Sequence, residues 1–133
     1  MLRILLVEDN NADARLTSEI LKDTGLEHEL VWINEGKKGL DCIKSNGNFD
    51  LFILDLNLPK VSGLEVLSVL RKTEKYRETS VIMMTGSVSL DEKIMTQGDD
   101  LLHYMVKPMT IGELDRTVMA FKKIILEMRT KKL

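Results

Sequence analysis

Short apolar runs alternate with amphipathic segments along the whole chain. Five runs of strand length, residues 4–7, 30–33, 51–54, 81–84 and 104–106, consist mostly of aliphatic and aromatic residues. The third, Leu51-Phe52-Ile53-Leu54, is apolar at every position, which is typical of a strand buried on both faces. The pattern therefore predicts five β-strands.

Between these runs, apolar residues recur at helical spacing and form stripes. The stripes are Ala12, Leu16 and Ile20; Leu40 and Ile43; Leu64, Leu67 and Leu70; and Ile111, Leu114, Val118, Phe121, Ile125 and Met128. Strands that alternate with amphipathic helices favour a parallel sheet with right-handed crossovers and helices on both faces. The fold class predicted is doubly wound α/β.

Sequences that fit the capping box mark three helix starts. In this motif two side chains satisfy main-chain N–H groups reciprocally. The three are Ser62-x-x-Glu65, Ser89-x-x-Glu92 and Thr110-x-x-Glu113. The second predicts a helix between the fourth and fifth strands. Asn10 or Asn11 is expected to cap the first helix.

Length and composition indicate a single domain over residues 1–133, with a frayed helix end at 126–133. The net charge of −2 gives no electrostatic reason to expect nucleic-acid binding. The apolar runs are too short to span a bilayer, and no signal-peptide pattern opens the chain, so we expect a cytoplasmic protein without membrane insertion. Cys42 is the only cysteine, which excludes a disulfide framework.

Polar residues stand at the ends of four predicted strands. They are Glu8-Asp9 after the first, Asp55 after the third, Thr85-Gly86 after the fourth and Lys107-Pro108 after the fifth. In an open parallel sheet, ligands bind outside the carboxyl ends of the strands. Three carboxylates, a hydroxyl and an ammonium are therefore expected to converge at one edge.

Clustered carboxylates repel one another unless a cation neutralises them, and hard oxygen ligands suit Mg²⁺. A carboxylate beside such a cation can act as a nucleophile toward a phosphoryl group, so we interpret Asp55 as a working carboxylate. Lys107, Thr85 and main-chain N–H groups near Asn57 and Gly86 would bind the phosphoryl oxygens. Each feature alone is typical of an ordinary turn or cap, but their joint occurrence at four strand ends favours a working site.

The segments "ILLVEDN", "LFILDLNLPKVSG", "VIMMTG" and "YMVKP" together resemble the receiver domain of two-component response regulators. The resemblance extends from about Arg3 to the last helix. It implies a flavodoxin-like (βα)5 fold with strand order 2-1-3-4-5. It also implies a stand-alone receiver similar to the chemotaxis regulators, because no output domain follows in this sequence.

For the site, the resemblance implies that Asp9, Asp55 and the main-chain carbonyl of Asn57 hold Mg²⁺, with Glu8 acting through water. Asp55 would accept the phosphoryl group from a histidine kinase. Lys107 would pair with the phosphate, and the Lys107–Pro108 bond is expected to be cis.

For signalling, the resemblance implies that Thr85 moves toward the phosphoryl group and that Tyr104 rotates inward. The output would be binding to a protein partner rather than to nucleic acid, with a homodimer through the fourth helix, fifth strand and fifth helix as a further expectation. The chain would catalyse only its own phosphorylation and slow autodephosphorylation. The lifetime of the phosphate is expected to depend on Asn57 and Ser87.

One segment departs from the family pattern. A Gly-Ala pair usually stands a few residues before the aromatic, whereas this chain reads "TQGDDLLHYMVKP". Gly98 lies too far upstream, and Asp100-Leu101 occupies the expected place. The shape of the surface around residues 98–103 is therefore left open.

Two other functions remain as alternatives. Phosphohydrolases of the haloacid-dehalogenase kind also use an aspartate at a strand end, but they need a second aspartate two residues later, where this chain has Asn57. A phosphate-independent interaction module would keep the fold without the switch. Nucleotide binding is disfavoured because neither G-x-G-x-x-G nor G-x-x-x-x-G-K-[ST] occurs.

Overall fold

A parallel sheet lies between two layers of helix in a computed structural model that describes residues 1–45, 47–86 and 98–131. The strands are β1 Leu2–Val7, β2 His28–Ile33, β3 Leu51–Asp55, β4 Ser80–Thr85 and β5 Leu102–Val106. The helices are α1 Asn11–Asp23, α2 Gly36–Lys44, α3 Gly63–Lys72 and a C-terminal helix Ile111–Lys131, with a 3-10 turn at Glu74–Tyr76. The order β2-β1-β3-β4-β5 confirms the predicted flavodoxin-like fold.

Two hydrophobic clusters cover the two faces of the sheet. Side chains alternate across a strand, so Ile4 and Leu6 of β1 face α1 and the C-terminal helix, while Leu5 and Val7 face α2 and α3. All five residues of β3 are buried, as its uninterrupted apolar run predicts. Asp55 is thereby fixed at the end of a central, fully covered strand.

Side-chain caps define the predicted helix starts. The capping bonds run from the main-chain N–H of Asp13 to Asn10, of Glu65 to Ser62 and of Glu113 to Thr110. Asn10 rather than Asn11 therefore caps α1. The Glu113 carboxylate accepts from the N–H of Met109, one residue before the position that the capping box predicts. Ser89 and Glu92, with the helix predicted there, lie outside the described residues.

The C-terminal helix covers one face of the sheet and differs from its prediction at its start. Ile111 is 81% exposed, because the helix contacts the core only from Leu114 onward. The helix continues to Lys131 and Met128 is buried, and the frayed end expected at 126–133 stays a prediction. Among the described residues, no helix is long and apolar enough to cross a membrane.

An ion pair fixes the segment before β5. The Asp99 carboxylate accepts from the Arg71 guanidinium at 2.6 Å and 3.2 Å and from the N–H of Leu101 at 3.1 Å. Gly98 adopts φ +93°, a backbone conformation that favours glycine. The chain then enters β5 at Leu102, two residues earlier than predicted. The departure from the family pattern is thus a defined structure anchored to the end of α3.

Candidate functional site

Glu8 lies at the carboxyl end of β1 and is held by main-chain bonds to the edge strand β2. Its N–H donates to the carbonyl of Ile33 at 3.0 Å, and its carbonyl accepts the indole N–H of Trp32 at 2.8 Å. The side chain is only 3% exposed. Its carboxylate accepts the N–H of Asn10 at 3.2 Å. The carboxylate is therefore buried and oriented toward the sheet edge.

Asp55 ends β3 beside Glu8. Its side chain is 6% exposed, and Oδ1 accepts the N–H of Asn57 at 3.2 Å. The start of α3 approaches closely, since Gly63 lies against the main-chain carbonyl of Asp55 with no room for a Cβ. Between them, Lys60 adopts φ 64° and the N–H of Val61 donates to the carbonyl of Pro59 at 2.8 Å. The turn after β3 is thus tightly specified around the carboxylate.

The structure brings together the three carboxylates that the sequence placed at this edge. Glu8, Asp9 and Asp55 each offer an oxygen within 4.8 Å of the others; Glu8 and Asp55 are buried and Asp9 is exposed. Burial raises the pKa of Glu8 to about 7; Lys107 lowers it in part, and the hydrogen bond and charge of Asp55 add to the rise. Such a cluster of hard oxygen donors, open on one side, suits a divalent cation that keeps some water ligands.

Lys107 enters the cluster from the loop after β5. Its Nζ lies 2.7 Å from Glu8 Oε1, 2.8 Å from Asp13 Oδ2 and 3.6 Å from Asp55 Oδ1. Burial acts to lower the pKa of Lys107, but the hydrogen bonds to Asp13 and Glu8 outweigh it and raise the pKa above its ordinary value. The ammonium is therefore charged and partly neutralises the acidic cluster.

The expectation of a cis peptide bond between Lys107 and Pro108 is wrong. No cis peptide bond occurs among the described residues, so Lys107–Pro108 is trans. The trans form is the one that X–Pro bonds generally favour, by about 0.5–1 kcal/mol. The N–H of Lys107 donates to the carbonyl of Thr85 at 2.7 Å, which fixes the start of this loop against β4.

Thr85 and Tyr104 lie on the same face of the sheet. Met83 pairs with Tyr104 and Thr85 with Val106 in the β4–β5 register, so Tyr104 is the diagonal neighbour of Thr85. Thr85 is fully buried, and its hydroxyl accepts the side-chain amide of Asn57 at 3.3 Å. Tyr104 is half-buried on the cluster under α2 and α3. The loop after β3 is thereby linked to the last two strands.

Some expectations about the site are not tested by these contacts. Gly86 directly follows Thr85 and is exposed, but the roles of its N–H and of the Asn57 carbonyl stay predictions. Ser87 lies outside the described residues. Sequence reasoning missed Asp13, although an acidic residue in the first turn of α1 was a usable signal, because α1 starts at the same edge of the sheet.

Comparison with known proteins places this arrangement in a family. The model of the response regulator receiver domain matches residues 4–119. The chain is 37% identical to the probable methanogenesis regulatory protein FilR2 of Methanothrix harundinacea, over 90% of this chain and 81% of that protein. It is 32% identical to the response regulator Rcp1 of Synechocystis, over 93% of this chain and 88% of Rcp1.

Solved structures of response regulators have the same fold. The Mn²⁺-bound form of Rcp1 superposes with a TM-score of 0.83 at 31% identity, covering 96% of both chains. The phosphorylated cyanobacterial phytochrome response regulator RcpA gives a TM-score of 0.82 at 28% identity, covering 94% of both chains. On the family match, the relatives and the shared architecture, this chain belongs to the response regulator receiver domains of two-component systems.

Proposed function

We propose that this receiver is a phosphorylatable switch in which Asp55 accepts a phosphoryl group from a histidine kinase. One observation carries the proposal: the Asp55 carboxylate lies 3.6 Å from the Lys107 ammonium and within 4.8 Å of oxygens of both Glu8 and Asp9. The nucleophile, the oxygens that would bind a cation and the ammonium that would bind the phosphoryl group thus lie close together. Such an arrangement fits phosphoryl transfer, in which positioning and electrostatic stabilisation supply most of the catalysis.

The donor set fits Mg²⁺. Asp9, Asp55 and the main-chain carbonyl of Asn57 would hold the ion, and Glu8 would act through water; Rcp1, a relative, has been solved with Mn²⁺. When bound, the ion neutralises part of the acidic charge and binds phosphoryl oxygens. Each of these ligands comes from the carboxyl end of β1 or β3 or from the turn that follows it.

The chain's own groups carry the transfer. A carboxylate oxygen of Asp55 attacks the phosphorus; the new P–O bond forms as the P–N bond to the kinase histidine breaks, and the imidazole leaves with that electron pair. The ammonium of Lys107 pairs with a phosphoryl oxygen, and Thr85 and the N–H of Gly86 bind the remaining ones. The protein acts on no separate substrate: it catalyses its own phosphorylation and a slow autodephosphorylation.

Thr85 and Tyr104 would report the phosphoryl group to the output face. Phosphorylation adds about −1.5 to −2 charges at this edge, and Thr85 exchanges its Asn57 contact for a phosphoryl oxygen. Tyr104, diagonal to Thr85, then rotates inward. The output is protein binding by a cytoplasmic receiver domain, without direct nucleic-acid binding. A homodimer would use β5, the C-terminal helix and the helix expected before β5.

The direct test is incubation with acetyl phosphate and Mg²⁺, followed by intact-protein mass spectrometry. We expect a labile gain of one phosphoryl group that chelator abolishes. The gain should be lost in Asp55→Asn and kept in Asp41→Asn, which changes an exposed carboxylate on α2. Folded wild-type protein that gains no mass would contradict the proposal and favour a phosphate-independent interaction module.

A further inference from the structure

Asp13 places a fourth carboxylate at the site, from an element that the acidic cluster does not use. It lies in the first turn of α1, 94 positions before Lys107 in sequence, and its Oδ2 is 2.8 Å from the Lys107 Nζ. Asp13 is not among the three residues whose oxygens converge for a cation. Its contact is with the lysine.

The cap of α1 leaves the Asp13 side chain available for this contact. Asn10 accepts the N–H of Asp13 at 2.9 Å and so performs the capping. The Asp13 carbonyl takes part in the main-chain hydrogen bonding of the helix and also accepts the hydroxyl of Thr17 at 3.0 Å. The backbone of this turn is thereby fixed, and the carboxylate, 36% exposed, points to Lys107, which is 17% exposed.

The three distances at Lys107 are unequal. Glu8 and Asp13 lie at 2.7 Å and 2.8 Å, within ordinary range for charge-assisted hydrogen bonds, whereas Asp55 lies at 3.6 Å. In the unphosphorylated protein the ammonium is thus hydrogen-bonded to Glu8 and Asp13 and forms only a longer ion pair with the phosphoacceptor. A phosphoryl oxygen on Asp55 has to draw the ammonium away from at least one of them.

We propose that Asp13 is a positioning residue that holds the Lys107 ammonium on the α1 side of the site and competes with the phosphoryl group for it. This inference rests on the proposed function. Glu8 would also act on a bound cation through water, so Asp13 is the partner that the lysine can release. Asp13 thereby restrains phosphoryl uptake and shortens the lifetime of the phosphorylated form.

The test compares Asp13→Asn with wild type, using acetyl phosphate and Mg²⁺ and following uptake and decay by intact mass. Because a partly exposed ion pair is removed, we expect the rate of phosphoryl uptake and the lifetime of the phosphorylated form to increase about two- to fivefold. Asp13→Glu should restore part of the restraint, and Asp23→Asn at the other end of α1 should behave as wild type. Rates equal to wild type in Asp13→Asn would overturn the inference.

A double-mutant cycle separates positioning from a general effect of charge at the helix start. We compare the change that Asp13→Asn causes in the logarithm of the uptake rate in two backgrounds. In Lys107→Met this change should be less than half of the change in the wild-type background. A change of half or more would mean that Asp13 acts without the lysine and would overturn the inference.

The contact itself is tested without phosphorylation. The side-chain NMR signals of Lys107 should shift in Asp13→Asn and not in Asp23→Asn, and an unchanged spectrum would overturn the inference. Wild type that takes up no phosphoryl group would instead remove the proposed function. The Lys107 shift would then still decide whether the Asp13 contact exists, while the claimed restraint on phosphorylation would fall with the function.

Discussion

The Nζ of Lys107 lies 2.7 Å from Oε1 of Glu8, and this ion pair joins the loop after β5 to the end of β1. Because the sheet order is β2-β1-β3-β4-β5, the lysine side chain spans the ends of β3 and β4 to make it. Asp55, at the end of β3, lies beside this lysine side chain, with its Oδ1 3.6 Å from the Nζ. The same contact with Glu8 balances part of the negative charge of the acidic cluster.

Burial of Glu8 makes the stability of the cation-free protein depend on pH. Its folded pKa is about 7 against an ordinary 4.5, so the folded state binds more protons between these values and loses stability as pH rises through them. Between pH 5 and pH 8 we expect the free energy of unfolding of wild type to fall by up to about 3 kcal/mol relative to Glu8→Gln.

Urea denaturation at the two pH values, in the presence of chelator, measures this difference. Glu19→Gln, which changes an exposed carboxylate of α1, should follow wild type. A pH dependence in Glu8→Gln as steep as that of wild type would contradict the assignment to Glu8.

Trp32, the only tryptophan, should report cation binding, because its indole N–H donates to the carbonyl of Glu8 at 2.8 Å. We predict that Mg²⁺ changes its fluorescence in a saturable titration. Asp9→Asn should weaken the apparent affinity about tenfold or more, because a charged ligand is lost, whereas Asp23→Asn should not. The proposed cation site is wrong if Asp9→Asn binds as tightly as wild type.

Gly63 should be irreplaceable, because a Cβ there would collide with the main-chain carbonyl of Asp55. We expect Gly63→Ala to lower the free energy of unfolding by about 1–3 kcal/mol and to slow phosphoryl uptake. Gly112, also in the first turn of a helix, has nothing within 4 Å of an added Cβ, so Gly112→Ala should stabilise the protein by about 0.5–1 kcal/mol. Equal unfolding midpoints for the two variants would refute the close approach at Asp55.

Replacement of Thr85 should separate phosphorylation from its output. Thr85→Val keeps the side-chain shape but removes the hydroxyl that accepts from Asn57. We expect phosphoryl uptake to slow by about tenfold, from the loss of one hydrogen bond to a charged group, while the NMR shift of Tyr104 on phosphorylation disappears. Thr73→Val, at the end of α3, is the control. A normal Tyr104 shift in phosphorylated Thr85→Val would exclude this switch.

Most of the site was predictable because polar residues at strand ends are positioned by local rules. The apolar runs before Glu8, Asp55 and Thr85 determine where each strand ends, and a parallel sheet brings those ends to one edge. The pairing of Asp13 with Lys107 was not predictable in this way. It depends on how α1 is rotated against the sheet, which the capping bond of Asn10 helps to fix.

The misses have physical causes of the same kind. Apolar periodicity does not show that the C-terminal helix meets the core only after its first turn, so Ile111 was wrongly placed in the packed stripe. The segment that leads into the early start of β5 is anchored by the ion pair between Arg71 and Asp99, a contact across 28 positions that local patterns do not show. Local preference alone does not decide the isomer at Lys107–Pro108, which is trans here.

Localisation of the phosphoryl group tests the central claim most directly. After incubation with acetyl phosphate and Mg²⁺, borohydride reduction converts an aspartyl phosphate to homoserine, which peptide mass spectrometry identifies by position. We predict homoserine at residue 55 alone and none after treatment with chelator. Reduction at any other carboxylate, or at none in protein that has gained a phosphoryl group, would contradict the account.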